Sequence, residues 1–238
     1  MLIDMHSHIL PGIDDGSQNL EESIKLLDLL AKNHVDVVVA TPHFYIENQS
    51  ISDFIKNRNK AYEKLKPHLK SNHPKILLGA EILYSPLLVS NELLYDLKIQ
   101  GTDYILLEIP YSKITNEIIE NVEKISYFMD VKIIIAHIER YLHFTSFKSL
   151  TKLMDLDVLG QINVKSLKTV SSRRNCVKLA KMDYVHALGS DIHRIKKPVP
   201  LVSDAAEVLD KKLGDGYTNH LMKNEVDILK NVDIEHFF

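Results

Sequence analysis

The sequence contains one cysteine, Cys176, so no disulfide can form within the chain. A cysteine-dependent phosphatase is disfavoured, because such an enzyme needs an arginine six positions after its nucleophile, and Met182 stands there. We therefore predict that Cys176 is a small packing residue on the inner face of a helix. The eight glycines include no Gly-x-x-x-x-Gly-Lys loop, which excludes a P-loop protein.

Long apolar runs and an excess of positive charge are also missing. No stretch reaches membrane-spanning length, and Asp4 and Pro11 interrupt any apolar run at the N-terminus. We therefore expect a cytoplasmic protein with no signal peptide and no membrane insertion. The formal net charge of -3 provides no broad cationic surface, so nucleic acid is not an expected partner.

The composition is that of a soluble protein with a substantial core, with 45% hydrophobic and 26% charged residues. No internal repeat, low-complexity tract or Pro/Ser-rich linker divides the chain. We expect residues 1–238 to form a single domain. The sequence leaves the oligomeric state open.

Apolar strand patterns alternate with amphipathic helical patterns along most of the chain. The seven predicted strands cover residues 2–5, 35–40, 76–81, 104–108, 132–137, 158–164 and 185–191. Predicted helices cover residues 19–32, 52–69 and 116–128, and a helical tail begins near residue 201. This alternation predicts an α/β protein whose mainly parallel sheet closes into a seven-stranded TIM-like barrel with the helices outside.

The first seventeen residues carry the clearest chemical pattern. His6 and His8 follow the first predicted strand at the spacing that places two side chains on one face of extended backbone. The Asp14-Asp15-Gly16 turn then brings a carboxylate back toward the same strand end. Such a strand end can hold a cation, although His-x-His also occurs where histidines only pack or cap.

Similar side chains stand at or just after the ends of later predicted strands. Together the candidate metal ligands are His6, His8, Asp15, His43, Glu81, Glu108, His137, Asp191 and His193. Each alone is more often a satisfied polar residue than a ligand, but parallel strands gather their carboxyl ends at one edge. Burying four carboxylates without cations would cost several kcal/mol each, so their joint placement predicts bound metal.

The chain resembles the polymerase and histidinol phosphatase superfamily in the order of its motifs, which are His-x-His, Asp-Asp-Gly, Thr-Pro-His, Gly-x-Glu-Ile, Leu-Glu-x-Pro, Ala-His-x-Glu-Arg and Ser-Asp-x-His. Within that superfamily it is most similar to the bacterial manganese-dependent protein-tyrosine phosphatases of capsule and exopolysaccharide operons. The matching motifs run from Asp4 to His193. The resemblance implies a distorted seven-stranded barrel that holds three metal ions.

The resemblance also implies how the ligands divide among the ions. The three sets would be His6, His8, Glu81 and Asp191 for the first ion, Glu81, Glu108 and His137 for the second, and Asp15, His43 and His193 for the third. Mn²⁺ is the expected ion, with Fe²⁺, Mg²⁺ and Zn²⁺ as alternatives, because the oxygen ligands favour hard cations. Three divalent ions and four carboxylates leave about two positive charges, which a bridging hydroxide lowers to about one. Such a site attracts a phosphate dianion.

Arg140 is the predicted catalytic and phosphate-binding residue, because a guanidinium can grip two phosphate oxygens. An ion pair with Glu139 or a neighbouring carboxylate is the alternative. The family usually has a second arginine shortly after Asp-x-His, whereas this chain offers Arg194 and Lys197 as substrate-binding candidates. It also departs from the family at Ile138, where proline is usual.

Several other residues near these motifs have two interpretations. Tyr45, Tyr84 and Tyr111 follow three of the motifs and could stack on a phenyl phosphate, but half-exposed tyrosines are also common without such a role. His143 and His186 are predicted to support the barrel or the ligands rather than to bind metal.

The leading prediction is metal-dependent hydrolysis of phosphotyrosine in a protein. The resemblance implies that the substrate is a bacterial tyrosine autokinase that controls polysaccharide synthesis. A phosphatase for histidinol phosphate or another small metabolite would share the ligands but need an enclosed pocket. A metal-dependent nuclease, an inactive metal-binding scaffold and an amidohydrolase are further alternatives, the nuclease being disfavoured by the missing basic stripe.

Overall fold

The chain folds into alternating strands and helices in a computed structural model that describes residues 1–89, 91–195, 199 and 201–238. Within these residues the strands are β1 (Ile3–Ser7), β2 (Val37–Ala40), β3 (His43–Phe44), β4 (Lys75–Leu78), β5 (Glu81–Leu83), β6 (Tyr104–Glu108), β7 (Lys132–Ile135), β8 (Val158–Asn163) and β9 (Ala187–Gly189). The helices are α1 (Leu20–Lys32), α2 (Ile51–Leu65), α3 (Asn116–Met129), α4 (Phe147–Met154), α5 (Val170–Ala180), α6 (Ala205–Leu213) and α7 (Tyr217–Leu229). The predicted α/β class is confirmed.

Every pair of neighbouring strands is parallel. One sheet has the order β1-β2-β4, and the other has the order β3-β5-β6-β7-β8-β9. A single bridge between Ser7 and Ile192 links β1 to the segment that follows β9. The strands therefore form a curled, parallel arrangement in which the first and last strands approach each other.

One predicted strand is interrupted, and another is followed by a further short strand. The second predicted strand ends at Ala40, as expected, before Pro42, which has no N–H to donate to a ladder, and pairing resumes at His43 in the other sheet. The third breaks at Gly79, whose N–H still donates to the carbonyl of Ala40 at 2.9 Å before β5 joins the other sheet. At both places the chain thus passes from one sheet to the other, and one uninterrupted seven-stranded barrel is not seen in the described hydrogen bonding.

Three other predicted boundaries extend too far. The helix predicted to reach residue 69 ends at Leu65 and gives way to the 3₁₀ turn Lys66–His68, which contains Pro67. β7 stops at Ile135, two residues before His137, and β9 covers only three residues. The helix ends close to Pro67, which has no backbone N–H to continue it. The two strands end where the chain turns into the segments that carry His137 and Asp191.

Alternation along the strands divides the apolar core into two clusters. On β6, Tyr104 and Leu106 belong to the smaller cluster, whereas the intervening residues belong to the larger one. Ile228 of α7 joins the smaller cluster. Because side chains two residues apart lie on the same face of a strand, Glu108 continues this face at the carboxyl end of β6.

The helical tail predicted from residue 201 onward is confirmed by α6 and α7. α7 packs against β9, where a carboxylate oxygen of Glu225 accepts a hydrogen bond from the N–H of Leu188 at 2.8 Å. The tail therefore supports the strand that leads to Asp191 and His193. Among the helices described, none is both long enough and apolar enough to cross a membrane.

Candidate metal centre

Seven of the nine predicted ligands lie near the carboxyl end of a strand or in the segment that follows it, and the other two begin the short strands β3 and β5. β1 and its loop supply His6, His8 and Asp15; the starts of β3 and β5 supply His43 and Glu81; the end of β6 supplies Glu108; and the segments after β7 and β9 supply His137, Asp191 and His193. Their side chains meet in one cluster. The structure therefore brings together the residues that the sequence predicted to converge.

Glu81 lies at the centre of the cluster and is 1% exposed. One carboxylate oxygen, Oε2, lies 3.2 Å from Nε2 of His6, 3.2 Å from Nε2 of His8 and 2.9 Å from Nδ1 of His43. The other, Oε1, lies 3.0 Å from Nε2 of His137. One carboxylate thus touches four imidazoles, which is the position expected of a ligand shared between ions.

The spacing of these atoms fits a bound cation. Nε2 of His6 and Nε2 of His8 lie 3.2 Å apart, and ligands held about 2.1 Å from a common ion are about 3.0–3.4 Å apart. Glu81 Oε2 and His43 Nδ1 are buried without a hydrogen-bond partner, because their 2.9 Å contact lacks hydrogen-bond geometry. Buried polar atoms of this kind need a partner, which a metal ion would provide.

A second group surrounds Asp15. Its Oδ1 lies 3.3 Å from Nε2 of His193 and 3.5 Å from Nε2 of His43. These three residues and His8 offer ligand atoms that all lie within 4.8 Å of one another. The side chain of Asp15 is 71% exposed, so this group stands at the solvent side of the cluster.

The remaining ligands adjoin Glu81 from other sides. Nε2 of His137 lies 3.4 Å from Oε1 of Glu108, and Oδ1 of Asp191 lies 3.6 Å from Nε2 of His6. His137 and Asp191 adopt φ angles of 34° and 52°, which are strained for residues with a side chain. Surrounding contacts hold both residues in conformations that turn them out of the regular strand toward the cluster.

The electrostatics of the cluster favour positive charge. Burial alone would lower the pKa of His8. Hydrogen bonds to carboxylates, the strongest of them to Asp14, raise this pKa well above its ordinary value. Burial also acts to lower the pKa of His137. Hydrogen bonds to carboxylates, the strongest of them to Glu108, outweigh burial and raise this pKa to about 9. The pKa of Glu81 lies well below its usual range despite burial, because imidazoles surround it. Glu81 therefore stays ionised and attracts cations, either protons on the histidines or metal ions.

Asp14 is a functional candidate that the sequence analysis missed. Its Oδ2 lies 2.7 Å from Nδ1 of His8 and accepts the N–H of His43 at 3.1 Å, while its Oδ1 accepts the N–H of Gly16 at 2.9 Å. One carboxylate therefore orients a ligand ring, a ligand backbone and the loop that carries Asp15. The signal was the pair of adjacent aspartates, of which only the second received a role.

We expect Asp14→Asn to weaken metal binding by about 10- to 100-fold while the protein stays folded, because the amide keeps the shape but loses the charge that fixes His8. Competitive chelator titration with Mn²⁺ measures this affinity. Asp28→Asn is the matched control, since Asp28 pairs with Lys70 and His73 on the surface. Equal affinities of the Asp14 variant and wild type would contradict the role.

Gln161 supports two further ligands from β8. Its Oε1 lies 3.2 Å from Nδ1 of His6 and accepts the N–H of His137 at 2.9 Å. The side-chain amide nitrogen of Gln161, Nε2, donates a hydrogen bond to Oδ1 of Asn163 at 2.8 Å. Nδ2 of Asn163 donates in turn to Oδ2 of Asp191 at 2.8 Å. The sequence showed only one glutamine among the apolar residues of the predicted strand, and its burial is known from the structure.

Arg140 lies beside the cluster in the 3₁₀ segment Ile138–His143. Its Nη2 pairs with Oδ2 of Asp191 at 2.6 Å, and its Nη1 donates to the hydroxyl of Tyr111 at 2.8 Å. The alternative of an ion pair with a carboxylate is thus present, with Asp191 as the partner. Glu139 is instead buried and accepts a hydrogen bond from the hydroxyl of Ser166 at 2.6 Å.

The cluster opens into a cleft of about 400 Å³. The residues that line it are His43, Tyr45, Glu81, Leu83, Glu108, Pro110, Tyr111, Arg140, Asp191 and His193. The interpretation of Tyr84 as a mouth residue is wrong, because this side chain is buried and its hydroxyl accepts a hydrogen bond from Asn121 at 2.8 Å. Tyr45 and Tyr111 do stand at the cleft.

The other candidates lie elsewhere. Nε of Arg194 donates to the backbone carbonyl of Asp15 at 3.4 Å, and Lys197 lies outside the described residues, so their roles in substrate binding stay predictions. Cys176 is buried within α5, and burial raises the pKa of its thiol, which suits a packing residue. His186 is buried, and its Nδ1 accepts a hydrogen bond from the N–H of Gly160 at 3.1 Å. This position suits a residue that supports the strands rather than a metal ligand.

Histidines and carboxylates gathered at one edge of a curled parallel sheet define an α/β protein with a candidate metal centre. Comparison with known families narrows this class. Residues 2–230 match the family described as "Capsular polysaccharide synthesis, CpsB/CapC". The chain belongs to that family.

Individual relatives agree with this assignment. The tyrosine-protein phosphatase CpsB of Streptococcus agalactiae serotype III (strain NEM316) is 25% identical, with 97% of this chain and 99% of the relative covered. The tyrosine-protein phosphatase YwqE of Bacillus subtilis (strain 168) is 27% identical, with 98% and 93% covered. A crystal structure from work on YwqE of Bacillus subtilis and CpsB of Streptococcus pneumoniae, described as metal-dependent tyrosine phosphatases, has the same fold, with a TM-score of 0.79, 22% identity and coverage of 97% and 95%.

Proposed function

We propose that this chain is a metal-dependent protein-tyrosine phosphatase, a phosphoric monoester hydrolase that acts on phosphotyrosine in a protein. The observation that carries the proposal is the meeting of nine ligand-type side chains with Arg140 at one open cleft. Relatives over nearly the whole chain are tyrosine-protein phosphatases, which supports the same reaction.

The proposed cofactors are three divalent ions, with Mn²⁺ as the expected metal. His6, His8, Glu81 and Asp191 would hold the first ion, Glu81, Glu108 and His137 the second, and Asp15, His43 and His193 the third. When bound, divalent ions supply a Lewis acid for the phosphate oxygens and a water of lowered pKa as the nucleophile. The contacts of Glu81 with four imidazoles support its role as the shared ligand.

The chain's own residues bind and orient the substrate. Arg140 grips the phosphate oxygens, because this residue lines the cleft and its side chain is 30% exposed. Asp191 and Tyr111 hold that guanidinium in place. Asp14 and Gln161 fix the rings of His8 and His6 through Nδ1, so that the Nε2 atoms facing Glu81 stay available as ligands.

The proposed substrate is a bacterial tyrosine autokinase that controls capsule or exopolysaccharide synthesis. The family's link to capsular polysaccharide synthesis supports this choice. The proposed location is the cytoplasm, where ATP-dependent phosphorylation takes place.

The proposed architecture is one domain over residues 1–238 with a single distorted seven-stranded barrel. In this barrel β2 with β3 and β4 with β5 each form one broken strand. The bridge from Ser7 to Ile192 closes the ring.

A small-metabolite phosphatase is the second candidate, and the shape of the cleft argues against it. Asp15 is 71% exposed in its side chain and Tyr111 is 45% exposed, so the cleft admits a residue carried on a protein surface. An enzyme for histidinol phosphate gains more from an enclosed pocket that surrounds its substrate.

Parallel rate measurements test the function. Protein stripped with a chelator is expected to be inactive, and Mn²⁺ is expected to restore hydrolysis of a phosphotyrosine peptide with kcat/KM at least about a hundredfold above that for histidinol phosphate. A single-stranded oligonucleotide should remain uncut. Preference for histidinol phosphate would refute the protein substrate, and cleavage of the oligonucleotide would favour a nuclease.

A further inference from the structure

Tyr111 has an unusual position at the cleft. It follows Glu108 and Pro110 at the end of β6, and its hydroxyl accepts a hydrogen bond from Nη1 of Arg140 at 2.8 Å. Yet the residue is 45% exposed, so its ring faces solvent at the mouth while its polar end touches the phosphate-binding side chain. A tyrosine placed in this way can contact both ends of an aryl phosphate.

The ring of Tyr111 is held from its inner side. Its centroid lies 5.7 Å from the ring of His137, 5.5 Å from that of Phe144 and 6.3 Å from that of Tyr141. These tilted contacts restrain the ring without covering its outer part. The result is a fixed apolar surface beside Arg140.

We propose that Tyr111 determines specificity for aryl phosphates, with its ring packing against the phenyl group of phosphotyrosine and its hydroxyl positioning Arg140. This inference rests on the proposed function and deepens it. A phosphate bound at Arg140 carries its phenyl group past Tyr111, since both residues line the same cleft. Leu83 and Pro110 add apolar surface there. The single methylene of phosphoserine is too short to use this surface.

Tyr45 is the other aromatic residue of the mouth, but its surroundings differ. Its ring stacks on the proposed ligand His43, with centroids 5.5 Å apart and an interplanar angle of 23°. One face of the Tyr45 ring is therefore already used against the metal centre. Tyr111 is the one of the two that contacts Arg140.

Two substitutions separate the roles of ring and hydroxyl. Tyr111→Leu removes the ring, and Tyr111→Phe removes only the hydrogen bond to Arg140. The inhibition constants of phenylphosphonate and inorganic phosphate, measured on the manganese-loaded enzyme, report binding with and without a phenyl group. Tyr127→Leu is the matched control, because Tyr127 is 82% exposed on α3.

Tyr111→Leu is expected to raise the inhibition constant of phenylphosphonate about tenfold more than that of phosphate, and to raise KM for a phosphotyrosine peptide in parallel. Tyr111→Phe should preserve the ratio of the two inhibition constants while lowering kcat, because only the orientation of Arg140 changes. An unchanged ratio in Tyr111→Leu, with wild type active on the peptide, would overturn this inference alone. Wild type that cleaved no phosphotyrosine peptide would overturn the proposed function as well.

Discussion

Replacing Glu81 with glutamine is expected to abolish measurable turnover, with a loss of at least about a thousandfold in kcat. Glu81 touches His6, His8, His43 and His137 through its two oxygens, so neutralising it removes charge from the centre of the cluster. Removing one partner from a buried charged network costs about 3–5 kcal/mol, which corresponds to a loss of about 10²- to 10⁴-fold in ion affinity.

Metal analysis of the purified Glu81→Gln protein and steady-state rates with added Mn²⁺ measure this effect. The amide preserves the size of the side chain, so circular dichroism should match that of wild type. Glu63→Gln is the control, because the side chain of Glu63 is 63% exposed and forms only a 3.5 Å contact with Lys66. A Glu81→Gln enzyme with normal metal content and a normal rate would refute the shared-ligand role.

Arg140→Ala is expected to lower kcat/KM for a phosphotyrosine peptide by about 10²- to 10³-fold and to leave the metal content nearly unchanged. The guanidinium supplies charge-assisted hydrogen bonds to the phosphate, and a methyl group cannot replace them. Metal binding should survive, because Asn163 still donates to Oδ2 of Asp191 at 2.8 Å after Arg140 is removed.

Arg140→Lys should retain more activity than the alanine variant but remain below wild type, because an ammonium keeps the charge and loses the planar fork. Arg174→Ala on the exposed face of α5 is the control. Loss of metal together with activity in Arg140→Ala would mean that the residue acts through Asp191 rather than on the phosphate. Full activity in that variant would exclude both roles.

The positions of the proposed ligands could be predicted because they depend on a general property of parallel sheets. Glu108 ends its strand as the apolar pattern indicated, and the His6 and His8 pair lies where extended backbone leads. Convergence then follows from the shared direction of the strands. Such a prediction needs only the order of elements and not the detailed packing.

The features that could not be predicted depend on contacts between distant residues. Asp14 and Gln161 reach the histidines through the fold, and their local signals, a pair of aspartates and a glutamine in an apolar strand, do not show which residues they contact. Tyr84 has the same local setting as Tyr111 but is buried beneath Asn121 of α3. The breaks at Pro42 and Gly79 have local signals, yet only the exchange of partners between the two sheets shows their effect.

The central claim is that dispersed histidines and carboxylates form one centre that holds metal. Crystals grown with Mn²⁺, measured at the manganese absorption edge, test it most directly. We predict three anomalous peaks in the cleft, one of them between Glu81 and the His6 and His8 pair and another beside Asp15. A map without peaks at these side chains, with ions bound only elsewhere on the protein, would contradict the account.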